Sequence, residues 1–276
     1  MDDALAGFRP DDGERLATGW EPDTPAGDSV ARDYLNTLTA RLVETASLTG
    51  GRVDRIDDAV LVDCRSRYVF DNIAICAGPL DDAALRSVAE RAGGFFDGSE
   101  SGWTVLCFDN RADLRAYGLE LIGHPPLMFR PRGGDGPPAP AGLDVVRVDT
   151  ERQLADFEST LVEAYPLPRG SAVIDSRLLG GGSAAWVGYL GGSPVATAGS
   201  CTANGLTEIE WVSTRESARG GGVGAYLTWT ALSIDPDADS VLFATDEGPP
   251  VYRRLGYVPL LLSLIHISEP RRLNST

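Results

Sequence analysis

The sequence predicts a mixed α/β protein built from two units of similar size. Three observations carry that expectation. Short runs of β-branched and apolar residues, such as Ala59–Cys64 and Leu206–Val212, read as strands. Between them lie segments with apolar residues at helical spacing behind polar caps. A stretch from Pro131 to Gly142 is dominated by Pro and Gly, has no periodicity, and reads as a linker. The expected layout is a mobile N-terminus over 1–27, an α/β unit over 28–130, the linker over 131–142, and a second α/β unit over 143–261.

In the first unit, Val30, Tyr34, Leu38 and Leu42 recur every four residues behind Asp28, which predicts an amphipathic helix. Ala59–Cys64 and Asn72–Cys76 are strands. A helix is expected from Asp81 to about Arg91, a strand from Trp103 to Phe108, a helix from Arg111 to Leu121, and a last strand over Leu127–Arg130. In the second unit, Leu143–Val148 is a strand, and Thr150 with Gln153 forms a capping box, each side chain satisfying the other residue's open backbone donor. The helix that follows buries Leu154, Phe157, Leu161 and Tyr165. Strands are expected at Ala184–Leu190, Pro194–Cys201 and Leu206–Val212. A helix through Tyr226 to Leu232, a strand at Ser240–Ala244, a short helix at Val251–Leu255 and a strand from Tyr257 complete the order β-α-β-β-β-α-β-α-β.

Composition removes whole classes of function. The 276 residues carry 24 basic and 40 acidic side chains, a net charge of −16, and every basic residue is Arg. Such a chain is a poor binder of nucleic acid or of an anionic membrane, and it has no lysine for a Schiff base or a P-loop. Four scattered cysteines (Cys64, Cys76, Cys107, Cys201) without a CxxC pair argue against a zinc site or disulfide scaffold and suit a reducing cytoplasm. With only His124 and His266, neither a histidine triad nor a multi-histidine metal site is expected, so no metal is expected. No signal peptide or apolar run of membrane-spanning length is visible.

One segment carries chemistry. Between the strand ending at Val212 and the next helix lies Arg219-Gly220-Gly221-Gly222-Val223-Gly224-Ala225. Glycines there let backbone N–H groups converge at a helix N-terminus, which binds a pyrophosphate without lysine, and Arg219 adds a cation. A plain glycine-rich turn has the same composition. Glu208 and Glu210 lie two apart on the preceding strand and so share a face; they read as candidate bases, Glu208 favoured, or as solvent-facing charges. Tyr252 reads, by its surroundings alone, as a packed aromatic. Tyr165–Gly170 reads as a loop, and Asp246 and Glu247, at the end of the next strand, could hold an ammonium or serve as N-cap or loop residues. Trp186, Trp211 and Trp229 read as core or partly buried, and Cys201 as a buried thiol, since no base is visible beside it.

Arg219-x-x-Gly222-x-Gly224 resembles the R/Q-x-x-G-x-G/A signature of the GNAT N-acetyltransferase superfamily. Tyr252-x-x-Leu255-Gly256-Tyr257 resembles a second signature of that superfamily at the expected distance. The resemblance covers about residues 143–260 and implies a GNAT fold, acetyl-CoA as co-substrate, and an amine as acceptor. It implies that the amides of 219–224, with Val223 and Ala225 beside the glycines, hold the CoA pyrophosphate. It also implies that the strand through Val212 to Thr214 pairs with the pantetheine arm, that Tyr252 protonates the departing thiolate, and that Glu208 or Glu210 serves as base. The first unit loosely resembles a second, degenerate half of the same fold that closes the acceptor site. Removing residues 1–135 is then expected to leave CoA binding and weaken acceptor binding. An acyl-CoA sensor without turnover, or an interaction module whose glycine loop is only a turn, are the rival readings. Small-molecule amine, antibiotic, peptide N-terminus and protein lysine all remain as acceptors, with cationic ones favoured by the acidic surface, and oligomeric state is open.

The last fifteen residues, 262–276, differ in composition from the body. Leu262–Pro270 resembles the translation of a transposase-type sequencing adapter, which marks the segment as non-native by expectation. Its apolar, β-prone start still predicts a strand through Leu260–Ile267.

Overall fold

A computed structural model describes residues 30–78, 80–99, 101–108, 112–164, 179, 182–245 and 248–268. Asp28, Tyr165–Gly170, Asp246, Glu247, the N-terminal stretch 1–27 and the end of the tail, 269–276, lie outside these residues. The first half contains α1 (Val30–Thr49), β1 (Arg52–Ile56), β2 (Ala59–Asp63), β3 (Asn72–Cys76), α2 (Asp82–Phe95), β4 (Thr104–Phe108), β5 (Leu119–Gly123) and β6 (Pro126–Arg130). The second contains β7 (Leu143–Arg147), α3 (Glu151–Ala164), β8 (Ser183–Leu190), β9 (Ser193–Ala203), β10 (Leu206–Thr214), α4 (Val223–Leu232), β11 (Asp239–Phe243), α5 (Pro249–Arg254) and β12 (Val258–Ser268).

Most elements follow the residue patterns. Tyr34, Leu38 and Leu42 are buried on one face of α1. The Asp81 carboxylate caps α2, accepting from the Ala84 amide at 2.8 Å. In the capping box, Gln153 Oε1 accepts from the Thr150 amide at 3.0 Å, and Thr150 Oγ1 accepts from the Gln153 amide at 3.3 Å. β3 and β4 are continuous apolar runs because both faces are covered. Two elements depart from the pattern. β1 is an edge strand with an exposed, charged sequence, so it shows no alternation of apolar residues. The helix expected over Arg111–Leu121 does not form in its described part. A 3₁₀ turn at Arg115–Tyr117 ends on Gly118 at φ +73°, and the chain leaves as β5, paired with β12. Sheet pairing overrides the helical spacing there.

The strands form one sheet in the order β1-β2-β3-β4-β12-β6-β11-β10-β9-β8-β7, with β5 also on β12. Each half contains a parallel pair flanking a helix, β3 beside β4 with α2, and β10 beside β11 with α4. Each half also lends a strand to the other. β6 runs between β11 and the start of β12, and the later part of β12 runs between β4 and β5. The strand expected through Leu260–Ile267 is thus present.

The three main cores show the same interlocking. One lies in the second half, around Leu227, Ile209 and Tyr257. Another lies in the first, around Leu85, Val105 and Phe96. A third joins them, with Tyr34, Leu38 and Leu42 of α1 packed with Ile75, Phe108, Leu206 and Val241. Removing residues 1–135 would therefore strip an interior strand from the second half together with part of a shared core. Loss of folding is the outcome to expect, in place of the selective loss of acceptor binding.

Candidate active site

β10 pairs in parallel with β11 only from Leu206 to Ile209. On its other side, the register with β9 shifts between Glu210 and Ser213. The bulged residue is Trp211, a non-glycine at φ +53°, and its ring lies across Gly199, where a Cβ would collide with the ring edge. Thr197 pins the bulge, its Oγ1 lying 2.7 Å from both the Trp211 carbonyl and Ser213 Oγ. Beyond Ile209 the two parallel strands part, and a cleft opens at their C-terminal ends.

The N-terminus of α4 faces this cleft. Gly222, at φ +81°, is the N-cap residue and supplies no side-chain cap. The amides of Val223, Gly224 and Ala225 are first-turn donors without intrahelical acceptors. Gly220 also sits at positive φ, +80°. A Cβ at Gly224 would lie 3.0 Å from Thr214 Oγ1, so the glycine lets helix and strand approach closely. Arg219 is exposed and donates from Nε to the Thr214 carbonyl at 3.1 Å. The cleft holds a cavity of about 580 Å³ whose wall includes Val212, Thr214, Arg219, Gly220, Gly222 and the first turn of α4 through Ala225; Gly221 lies in the same loop but outside the wall. The contrast with α2 is chemical. That helix opens on Asp81 and Asp82, and its Ala84 amide is taken by the Asp81 carboxylate, so negative charge already stands at that helix start, whereas α4 opens on glycine with no carboxylate in its first turn.

A second cavity, of about 200 Å³, lies between the halves. It shares Val212, Thr245 and Tyr252 with the cleft. Tyr252, 8 % exposed, stands on α5 with its ring edge-on to Tyr257 at 5.9 Å. A Cβ on Gly248 would lie 2.6 Å from Tyr252 Cε2. Glu208 and Glu210 reach this second cavity from the same face of β10. Both meet one guanidinium, where Arg41 Nε donates to Glu208 at 3.1 Å and Arg41 Nη2 to Glu210 at 2.6 Å, with Asp71 at 3.9 Å. The Glu208 side chain is 3 % exposed, so it is not a solvent-facing charge, whereas Glu210 keeps 24 %.

Burial governs the electrostatics. It pushes the Glu210 carboxyl well up, Arg41 pulls it back, and Glu208 pushes it further up. Burial likewise raises Asp71 to about 6, against the pull of Arg41. Burial opposes the charge on Arg41, but Glu210, Glu208 and Asp71 together outweigh it and hold the guanidinium protonated. Tyr34 hydrogen-bonds to Glu208 and is raised, first by burial and then by that carboxylate. Burial also raises the Cys201 thiol, which disfavours a nucleophilic thiolate.

Arg41, Asp71, Tyr34, Thr197 and Gly248 escape a motif-based reading. Arg41 alone left a trace, since its spacing from Tyr34 and Leu38 puts a charge on the apolar stripe of α1. Trp186 is buried, and Trp211 and Trp229 are half-buried, as their surroundings in the sequence imply. Among the described residues, no helix is long and apolar enough to cross a membrane, and no group of three or more metal-ligating side chains is arranged to hold a metal ion.

The architecture is similar to that of solved proteins over most of the chain. A GCN5-related N-acetyltransferase from Kribbella flavida superposes with a TM-score of 0.67 at 22% identity, covering 90% of this chain and 98% of its own. The chain has the fold of the GCN5-related N-acetyltransferases. A second protein of that name, from Sphaerobacter thermophilus, has a TM-score of 0.52 at 16% identity over 84% of this chain and 91% of its own. A conserved protein of unknown function from Staphylococcus epidermidis has a TM-score of 0.56 at 14% identity, covering 80% and 95%. The coverage of this GNAT fold extends to both halves. No family model matches the chain, and no curated protein matches it.

Proposed function

We propose that the protein transfers an acetyl group from acetyl-CoA to a small amine by direct attack. The observation that carries this reading is the meeting of two unlike cavities at Val212, Thr245 and Tyr252, one presenting open helix amides and the other presenting carboxylates. The amides of α4, with Arg219 at the rim, suit the CoA pyrophosphate. The divergence of β10 from β11 leaves main-chain donors near Val212 to pair with the pantetheine arm and polarise the thioester carbonyl.

An amine attacks only when neutral, so a carboxylate must take its proton. We favour Glu210 over Glu208 as that base. Glu208 is buried and engaged by both Arg41 and Tyr34, while Glu210 faces the cavity with part of its surface open, and burial raises its proton affinity above that of an ordinary carboxylate. In the transfer the amine nitrogen forms a bond to the acyl carbon and gives up a proton toward Glu210. The C–S bond then breaks as Tyr252 protonates the departing sulfur.

Thiol release from acetyl-CoA across an amine panel tests this, with Tyr252→Phe as the control. Release by the native chain and its loss in the variant at unchanged acetyl-CoA affinity supports the reading. Tight CoA binding with no release from any amine would leave a sensor, and no CoA binding would leave an interaction module.

A further inference from the structure

We propose that the cavity between the halves takes a small monocationic amine with a flat apolar body, an arylalkylamine. This rests on the transfer reading above and narrows its acceptor. Size is the first constraint. About 200 Å³ is below the span of pockets for drug-sized ligands, which suits a small acceptor. Among small amines of similar size, the walls and the charge decide.

The walls are the second constraint. Tyr34, Tyr68, Phe70, Trp211 and Phe243 line the space, and Arg41 Cζ already lies 6.0 Å from the Trp211 ring centroid, so this wall accepts a cation. Charge is the third. Asp71, Glu208 and Glu210 stand against one guanidinium, and among the described lining residues Arg41 is the only basic group. Three carboxyl groups set against one guanidinium leave an acidic excess in a largely buried space, and a further cation favours their ionised forms. One ammonium supplies it, and an aromatic body fills the rest. The ammonium arrives on the carboxylate side while Tyr252 and Val212 open to the donor cleft, which places the nitrogen between the base and the acyl group.

The test uses the full chain with saturating acetyl-CoA and compares 2-phenylethylamine, spermidine and glucosamine by thiol release. The expected kcat/KM for 2-phenylethylamine exceeds that of either rival by about tenfold or more. Asp71→Asn is expected to raise its KM several-fold, as loss of one charge partner should. Equal or better use of spermidine or glucosamine would overturn the proposal. If no amine releases thiol, calorimetric titration with 2-phenylethylamine separates the two claims. Saturable binding, weakened in Asp71→Asn, upholds the acceptor class while the transfer reading fails; no binding overturns the acceptor class itself.

Discussion

Arg41 Nε donates to Glu208 at 3.1 Å across 167 residues of chain, and the same guanidinium reaches Glu210 at 2.6 Å. A helix of the first half thereby fixes the two carboxylates of the second. Truncating Arg41 to Ala leaves buried carboxylates without their counter-ion, so a loss of about 3–5 kcal/mol is expected. Urea unfolding measures it. Arg41→Lys should recover part of the loss, since one ammonium cannot reproduce the fork that serves both acids. A loss below about 1 kcal/mol would show that the pairing contributes no more than a surface ion pair.

Asp71 gives stability a defined pH dependence. Its folded-state pKa is raised from 3.8 to about 6 by burial, so the folded chain binds its proton more tightly than the unfolded chain does. Its contribution is therefore most favourable below pH 3.8 and is lost as pH rises through about 6. The full shift corresponds to about 3 kcal/mol. Asp71→Asn should be more stable than the native chain above pH 6 by an amount of that order, and its stability should lack this fall between pH 4 and 6. Denaturant midpoints at stepped pH check both. Equal midpoints at pH 7 would contradict the buried setting of this carboxyl.

Gly248 is expected to matter through Tyr252. Its φ of −75° is open to any residue, so an alanine there acts by the contacts its Cβ makes, chiefly with the tyrosine ring at 2.6 Å and also with the Thr245 carbonyl oxygen at 3.2 Å. Gly248→Ala should cost about 1–3 kcal/mol of stability and lower kcat for transfer, with acetyl-CoA affinity little changed. Unfolding and steady-state kinetics of one preparation test the pair of effects, and an unchanged kcat would separate the ring position from turnover.

These features mark where the sequence was readable. Helices and strands with regular apolar spacing, the capping box at Thr150 and Gln153, and the glycine loop before α4 are local patterns, and they appear where their residues predict. β1 and β5 were not legible because an edge strand with charged faces carries no alternation and because the pairing of β5 with β12 joins residues more than 140 apart. The exchange of β6 and β12 between halves is equally non-local. At the site, Tyr252 and the two glutamates stand out by motif and spacing. Arg41 and Asp71 come from segments without any motif, and only the packing of α1 against β10 gives them a role.

The α4 start is the other half of the site. Gly222 is at φ +81°, where a Cβ costs about 1 kcal/mol or more, and Gly224 lies close to Thr214. Gly222→Ala and Gly224→Val should each weaken acetyl-CoA binding, the latter more, since its side chain meets Thr214 and crowds the amides. Affinity for 2-phenylethylamine should stay within about threefold of native, because its cavity shares none of these residues.

Calorimetric titration of the full chain with acetyl-CoA tests the central claim most directly. The α2 start carries two aspartates, one of which caps the Ala84 amide, whereas the α4 start has no side-chain cap at Gly222. The expected result is saturable binding of one acetyl-CoA per chain, weakened in Gly224→Val. No binding, or two equivalent sites per chain, would contradict it.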